Sequence, residues 1–435
     1  MTVKAWHCLC AAAGFLALAA LSPASAEHVS IREWVPRMEG YREFLKIAGD
    51  EFKKNHPDID IVVEDFPPET YRTTLAVGLA GANPPDVFVE WAGADAAQLV
   101  RDRLALDITA LGKEQDGFVG ELSPGWLSAF ELNGKYYGVP TDGLSTYFFY
   151  NKSFFAQNKL DRPADFEGLV GLCKKIRAIN PTIVPIALGN SQRWPLGHYM
   201  TMLNERILGL DAVAKDYDLS NPEDKLFGDL GYVDAWSRLL DMQGVRCFDA
   251  DPNANSVEAS RAMFSRQQSP MIYCGTWCAP IFDHDGFTDY ALFRMPRMSG
   301  SKSDGSANFL MAEGMMLSAK GNHPKEAAAW ASFVVSDAMA EKFAEKLKVI
   351  PSNPKLIANV PGATEQYKWI AGDMAGFSKA IAPLEDALEG SVAEAYLDQG
   401  AAILGGEPHR AGPWTRSATP RLQRKRNSGA SRDSL

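Results

Sequence analysis

The chain has 435 residues but only seven His and six Cys, few of the side chains that most often carry nucleophilic or metal chemistry. It has no Gly-x-Gly-x-x-Gly or Gly-x-x-x-x-Gly-Lys-Ser/Thr phosphate loop and no Gly-x-Ser-x-Gly elbow, so dinucleotide binding, P-loop hydrolysis and the common serine-hydrolase chemistry have no motif. No local pattern sets two carboxylates on opposing strand ends, as a glycosidase needs. Positive charge is also short: 44 Lys plus Arg face 54 Asp plus Glu, a net charge of -10. A general attraction to phosphate backbones is therefore excluded. Past the first 26 residues no run of 18 apolar residues occurs, so no membrane-spanning helix is expected there. The hydrophobic content of 46% instead suits the cores of two or three globular units of about 100–200 residues each.

Both ends differ from the middle. Lys4 precedes an apolar stretch from Leu9 to Leu21, Pro23 interrupts it, and Ala24-Ser25-Ala26 supplies small residues for a signal peptidase. Residues 1–26 are expected to be a cleaved secretory signal, with a mature start at Glu27. Cys8 and Cys10 lie upstream of that cut, leaving Cys173, Cys247, Cys274 and Cys278 in an oxidising compartment. Three pairings are open, and buried thiols or one local disulfide are expected. Cys274-x-x-x-Cys278, with Asp283-His284-Asp285 behind it, lacks the two-residue spacing and the second ligand pair of a structural zinc site. Neither a metal nor a cofactor is expected. Residues 409–435 hold seven Lys or Arg and one Asp, which reads as a solvated, disordered tail over 407–435. Arg424-Lys425-Arg426 has no interleaved aromatics, so nucleic acid is not expected as a partner.

Between these ends strand and helix patterns alternate. Val29 and Ile31 run as a strand into Trp34; Tyr41, Phe44, Leu45, Ala48 and Phe52 recur at helical spacing until Asn55-His56-Pro57 ends the helix. Ile59, Ile61 and Val63 alternate as a strand. The helical set Tyr71, Leu75 and Leu79 stops at Gly81-Ala82-Asn83-Pro84-Pro85, before the strand Val87-Phe88-Val89. This β-α-β-α-β order predicts a buried, mostly parallel sheet. Asn133-Gly134 predicts a hairpin turn, and Tyr147–Tyr150 an aromatic strand. Beyond residue 160 a second α/β layer is expected, with helices over 166–176, 198–209, 229–243 and 256–265 and strands at 183–188, 270–274, 290–293 and 314–318. Pro324 opens an Ala-rich helix through Val335.

The residues offer more for binding than for catalysis. Trp34, Trp91, Trp194 and Trp277 each sit just after a predicted strand, where open α/β sheets place their ligands. Indole faces suit a pyranose, whose C–H bonds pack on the ring while its hydroxyls seek polar partners. Glu39, Asp95, Asp142, Asn190, Arg193 and Glu313 are loop polar groups of that kind. His198 and His284 are taken as structural, because neither has a visible orienting partner.

Several segments together carry a resemblance. They are Glu51-Phe52-Lys53-Lys54-Asn55-His56-Pro57-Asp58-Ile59, Gly81-Ala82-Asn83-Pro84-Pro85-Asp86-Val87-Phe88 before Trp91, and Ala105-Leu106-Asp107-Ile108-Thr109. Gly134-Lys135-Tyr136-Tyr137-Gly138-Val139-Pro140 and Phe149-Tyr150-Asn151-Lys152 follow, then Met263-Phe264, Gly275-Thr276-Trp277 and Lys325-Glu326-Ala327-Ala328-Ala329-Trp330. In this order, over residues 27–406, the chain resembles family 1 solute-binding proteins of bacterial ABC importers, the maltose-binding-like cluster. The resemblance implies a type II periplasmic-binding-protein fold: two α/β lobes, each a mostly parallel sheet flanked by helices, joined by a multi-strand hinge. It implies an N-terminal lobe of residues 27–140 and about 291–318, and a C-terminal lobe of about 141–290 and 319–406. It also implies a periplasmic, monomeric, non-enzymatic receptor for a carbohydrate, an oligosaccharide or a related one, delivered to permease subunits served by a cytoplasmic ATPase. By position, Trp91 and Trp277 are implied as stacking platforms, Asp142 as hydroxyl acceptor, and Arg193-Trp194-Pro195 as a ligand-side loop. Trp34 and Glu39 match the loop after the first strand, and Glu313 departs from a frequent Gly. The alternatives are a secreted glycoside hydrolase and a receptor for another small solute on the same fold.

Overall fold

A computed structural model describes residues 28–38, 40–114, 118, 122, 124–217, 221–222, 225–303, 305, 307–377, 380–388 and 390–406. The expected signal segment, Glu39 and the basic tail lie outside the described residues. Among the described residues no helix is long and apolar enough to cross a membrane.

Six strands make the first sheet, in spatial order Ile350–Pro351, Gly138–Leu144, Met311–Leu317, Val87–Trp91, Val29–Pro36 and Ile59–Phe66. The last three are parallel, as the β-α-β-α-β pattern requires, because a crossover helix returns the chain to run in the same direction. Helix Tyr41–Asn55 buries Tyr41, Phe44, Leu45, Ala48 and Phe52, one stripe at helical period. Against that stripe lie Ile31, Val35, Val87 and Val89 from one sheet face. The opposite face packs Trp34 and Phe88 on Tyr71, Leu75 and Leu79 of helix Pro68–Ala80.

Four strands make the second sheet, in the order Tyr290–Phe293, Thr146–Asn151, Met271–Gly275 and Ile186–Ala187. One face carries helices Phe166–Ile179, Trp194–Leu208 and Gly231–Gly244 and the other helices Cys278–His284 and Glu365–Ala375. Side-chain caps start several helices: Asn151 accepts from the Phe154 amide, Asp165 from Gly168, Ser256 from Ala259 and Thr364 from Tyr367, each satisfying an otherwise orphaned N–H. The Asn133-Gly134 turn joins Glu131–Leu132 to Lys135–Tyr136, both turn residues having positive φ, 54° and 75°.

Both sheets are mixed rather than mostly parallel. Met311–Leu317 runs antiparallel to both of its neighbours, and Thr146–Asn151 runs antiparallel to both of its own. The physical reason is connectivity: these strands enter from the opposite lobe, not from a crossover helix on the same sheet. The chain passes between sheets through Leu144-Ser145-Thr146, returns before Met311, and leaves again after Ile350–Pro351.

Two segments sit in the lobe opposite to the one expected. Helices Pro324–Val334 and Asp337–Leu347 bring Trp330, Ala331, Val334, Met339 and Phe343 into the first core with Phe44 and Phe52, although residues 319–406 were expected in the C-terminal lobe. Strand Tyr290–Phe293 pairs with Thr146–Asn151 in the second sheet, so the return to the first lobe comes later than residue 291. Cysteine pairing also departs from the expectation of thiols or one local bridge. Cys173 is joined to Cys247 across 74 residues, and Cys274 to Cys278, so neither Cys274 nor Cys278 offers a free thiolate to a metal.

Candidate ligand-binding site

Trp91 is the last residue of its parallel strand, at the carboxyl end where such sheets accept ligands. In the antiparallel register Glu313 lies opposite both Trp91 and Asp142, so the three form one row across three strands. The Trp91 indole N–H donates to Glu313 at 2.5 Å. A bulge between Glu313 and Gly314 offsets the pairing with Gly138–Leu144, a device that re-aims side chains. Gly314 is needed there, because a Cβ would stand 2.7 Å from the Val139 carbonyl and 2.6 Å from the Phe130 ring.

Around this row the carboxyls outnumber the cations. Asp142 is 2% and Glu313 5% exposed; burial pushes both well up from the ordinary carboxylate range, and the nearby Glu313 raises Asp142 further, while the Trp91 N–H draws Glu313 back down. Glu90, bonded to the Trp91 amide at 2.9 Å, is pushed up to about 7 by burial against the opposing pull of Arg72. One oxygen of Asp142 accepts from the Thr141 hydroxyl at 2.8 Å; the other is buried without a hydrogen-bond partner among the described residues.

Arg72, one residue past the buried Tyr71 on helix Pro68–Ala80, sits 4.7 Å from the Trp91 ring centroid. Its guanidinium bonds Asp95 at 3.1 Å and Asp386 at 2.9 Å. Asp386 lies on the short helix Leu384–Ala387, whose Leu384 and Leu388 flank belong to the second core. The Arg72–Asp386 pair therefore crosses between lobes. Gly93 shares the contact: a Cβ there would meet the Asp386 carbonyl at 2.3 Å.

On the second-lobe side, Trp194 opens helix Trp194–Leu208 and Trp277 precedes helix Cys278–His284. Their rings are 6.0 Å apart, and His198 lies 4.9 Å from Trp194 and 5.8 Å from Trp277. The Trp277 ring lies over Gly275, where an added Cβ would fall 1.8 Å from it. Phe309 closes the group at 4.7 Å from His198. His198 bonds Glu385 at 2.8 Å, so Glu385 and Asp386 join the second-lobe aromatics to the first-lobe carboxyl row.

Of the residues singled out in the sequence, Trp91, Asp95, Asp142 and Glu313 come together on one side and Trp194 and Trp277 on the other. Trp34 does not join them: it packs in the first lobe's second core, 4.7 Å from Phe66 and over Gly78, because alternation along Val29–Pro36 turns it onto the buried face toward helix Pro68–Ala80. Arg193 is exposed and paired with Asp398. Asn190 is spent on the local loop, bonding Asn253 and the Leu196 amide, and Glu39 lies outside the described residues. Arg72, Glu90, His198, Phe309, Glu385 and Asp386 were missed as site residues. Arg72 had one signal, its place beside Tyr71 in the Tyr71-Leu75-Leu79 stripe; the acidic pair after Pro383 had none.

The chain is 23% identical over 308 residues to an uncharacterized ABC transporter extracellular-binding protein of Pyrococcus horikoshii, covering 69% of this chain and 66% of that protein. A second such protein of the same organism is 22% identical over 310 residues, covering 68% and 65%. The matched stretch thus spans just under two thirds of these relatives' own length. Among solved structures, one from work on xylan utilization by Caldanaerobius polysaccharolyticus superposes with a TM-score of 0.77 at 20% identity, covering 91% of this chain and 99% of that one. The solute receptor AcbH, with a preference for β-D-galactopyranose, gives 0.77 at 17% identity over 92% and 98%, and a chitin oligosaccharide binding protein 0.75 at 18% over 92% and 99%. These structures share the type II fold. The family model of bacterial extracellular solute-binding proteins matches residues 48–369, and with a two-sheet fold and an inter-lobe aromatic and carboxyl cluster this chain belongs to that family.

Proposed function

We propose that the protein captures a sugar between its two lobes and delivers it to an ABC importer without altering it. The observation that carries this reading is convergence: Trp91 and its carboxyl row from the first lobe meet the Trp194–Trp277 pair of the second at the helix Leu384–Ala387. Indole faces take the C–H surface of a pyranose, and carboxyls and His198 take its hydroxyls. The similar solved structures include receptors for β-D-galactopyranose and chitin oligosaccharide and a maltose-bound protein, which supports a carbohydrate over other small solutes.

Two moving units serve this function: the first sheet with helices Tyr41–Asn55 to Ala94–Arg101, Pro324–Val334 and Asp337–Leu347, and the second sheet with its own helices. A ligand touching both stabilises the closed arrangement by contacts absent when open. Each hydroxyl left without a partner on closure costs about 1–3 kcal/mol, so selectivity follows hydroxyl geometry. Cleavage after Ala26 places the monomeric protein in the periplasm, where the closed form docks on permease subunits coupled to a cytoplasmic ATPase.

Calorimetry and thermal shift against a saccharide panel test the proposal. One or more saccharides bind stoichiometrically, raise the melting temperature as native-state ligands do, and are recovered intact. Turnover abolished by a single carboxylate substitution would instead establish a glycoside hydrolase.

A further inference from the structure

Three residues, Gly275-Thr276-Trp277, stand between two cysteines that are joined to each other, Cys274 and Cys278. The bridge closes the ends of this loop, and the interior carries Trp277, whose ring lies 6.0 Å from Trp194 and 5.8 Å from His198. Gly275 is the last residue of its strand and has no side chain to steer the indole. Thr276 is 5% exposed, whereas Trp277 is half-buried, so Thr276 is the member of the loop whose side chain is spent inside the protein.

What Thr276 meets there is the chain crossover between the sheets. Its amide donates to the Ser145 carbonyl at 2.8 Å, and its hydroxyl oxygen accepts from the Ser145 amide at 3.3 Å. Ser145 is fully buried in the middle of the crossover Leu144-Ser145-Thr146, and its own hydroxyl donates to the Phe309 carbonyl at 2.7 Å. Phe309 lies on the return segment before Met311, with its ring 4.7 Å from His198. One crossover residue thus holds the Trp277 loop by its main chain and the Phe309 segment by its side chain. The two bonds between Thr276 and Ser145 are reciprocal, and losing the Thr276 oxygen would deprive a buried amide of its acceptor. They remove freedom that closed ends alone leave to the loop, and a stacking platform binds best when its ring is held in pose before the ligand arrives.

Resting on the sugar-capture reading, we infer that Thr276 is a positioning residue for ligand capture: its amide and hydroxyl hang the Trp277 loop on Ser145 of the inter-lobe crossover and so hold the indole in the pose that meets the ligand. Thr276 acts through Trp277, not by touching the sugar.

A double-mutant cycle on the full chain tests this, because residues that act through one another give non-additive effects. Galactose, maltose, xylobiose and di-N-acetylchitobiose are titrated by calorimetry, and the tightest of them is carried through the cycle. Thr276→Val weakens its binding by about tenfold, the scale of one buried hydrogen-bond partner lost, and shifts the tryptophan emission of the unliganded protein. In a Trp277→Ala background the same substitution changes affinity by less than about twofold and leaves emission unmoved. Thr276→Ser, which keeps the acceptor, restores affinity and emission. Circular dichroism confirms folding, and Thr276→Ala, which drops the acceptor with less bulk than Val, repeats each measurement. A lowered melting temperature with affinity and emission unchanged, or an equal affinity loss in both backgrounds, overturns the inference and leaves sugar capture intact. Failure of all four saccharides to bind the parent removes sugar capture and this inference with it.

Discussion

At the scale of single residues, glycines decide where the indoles lie. Gly275 admits the Trp277 ring directly over its α-carbon, and Gly78 does the same for Trp34, yet the two contacts serve different ends. Trp277→Ala is expected to weaken saccharide binding at least tenfold with the melting temperature little changed. Gly275→Ala should weaken binding comparably by pushing the same ring aside, and a shift in tryptophan emission would report the displacement. Unchanged affinity in both variants would remove Trp277 from the site. Trp34→Ala, by contrast, empties a core position and is expected to cost about 3–5 kcal/mol of stability, read as a lowered denaturation midpoint at unchanged slope. The two tryptophans look alike in sequence, each set beside a strand and polar neighbours. Alternation within Val29–Pro36 separates them, because Trp34 falls within its strand and faces the helix Pro68–Ala80, whereas Trp277 falls past the end of one.

At the scale of elements, the buried acids on the strands of the first sheet set a pH dependence. Glu33, on Val29–Pro36, is fully buried with one oxygen accepting from the Trp330 indole at 3.0 Å, and burial pushes it up to about 8; Glu90 is pushed up to about 7. The folded state therefore holds these protons above the pH at which the unfolded chain releases them. Stability is fully present below the ordinary glutamate range near 4.5 and is lost as pH rises through about 7 to 8. Melting temperatures of the unliganded protein should accordingly fall between pH 5 and pH 8, and Glu33→Gln should flatten that decline. A melting temperature that climbs over this interval would contradict the protonated state of both acids. The Cys173–Cys247 bridge acts at the same scale, tying helix Phe166–Ile179 to the segment after Gly231–Gly244. Its removal in a Cys173→Ala, Cys247→Ala double variant is expected to cost about 2–4 kcal/mol, measured by chemical denaturation.

For the whole molecule, the Arg72–Asp386 ion pair is a contact that spans the two lobes. Arg72→Ala removes a charge-assisted contact between lobes and should enlarge the unliganded radius of gyration in small-angle scattering, while a bound saccharide brings it back. An unliganded variant as compact as the parent would show that the pair does not restrain opening. The sequence carried the architecture well where one period ran without interruption: the Tyr41–Phe52 stripe, the Ile59-Ile61-Val63 alternation and the Asn133-Gly134 turn all appear where expected. It carried strand direction less well, because the antiparallel strands Met311–Leu317 and Thr146–Asn151 have the same apolar composition as parallel ones. It carried the site in part. Trp91, Asp142 and Glu313 are adjacent only through the register of three strands, Glu313 standing 222 positions from Trp91 and 171 from Asp142, and the inter-lobe partners Arg72 and Asp386 are further apart still. Pairing across such separations leaves no mark in a local window.

The placement of Met311–Leu317 between Val87–Trp91 and Gly138–Leu144 also governs the order in which the chain can take shape. The central gap of the first sheet is filled by a segment that follows the whole second sheet, so Val87–Trp91 and Gly138–Leu144 must wait with their facing edges unpaired until Met311, 220 positions after Trp91 and 167 after Leu144, has emerged. A polypeptide released stepwise from a ribosome or an export channel cannot lock its first half early. Premature termination short of Met311 would leave both lips of that gap open to pairing with other chains.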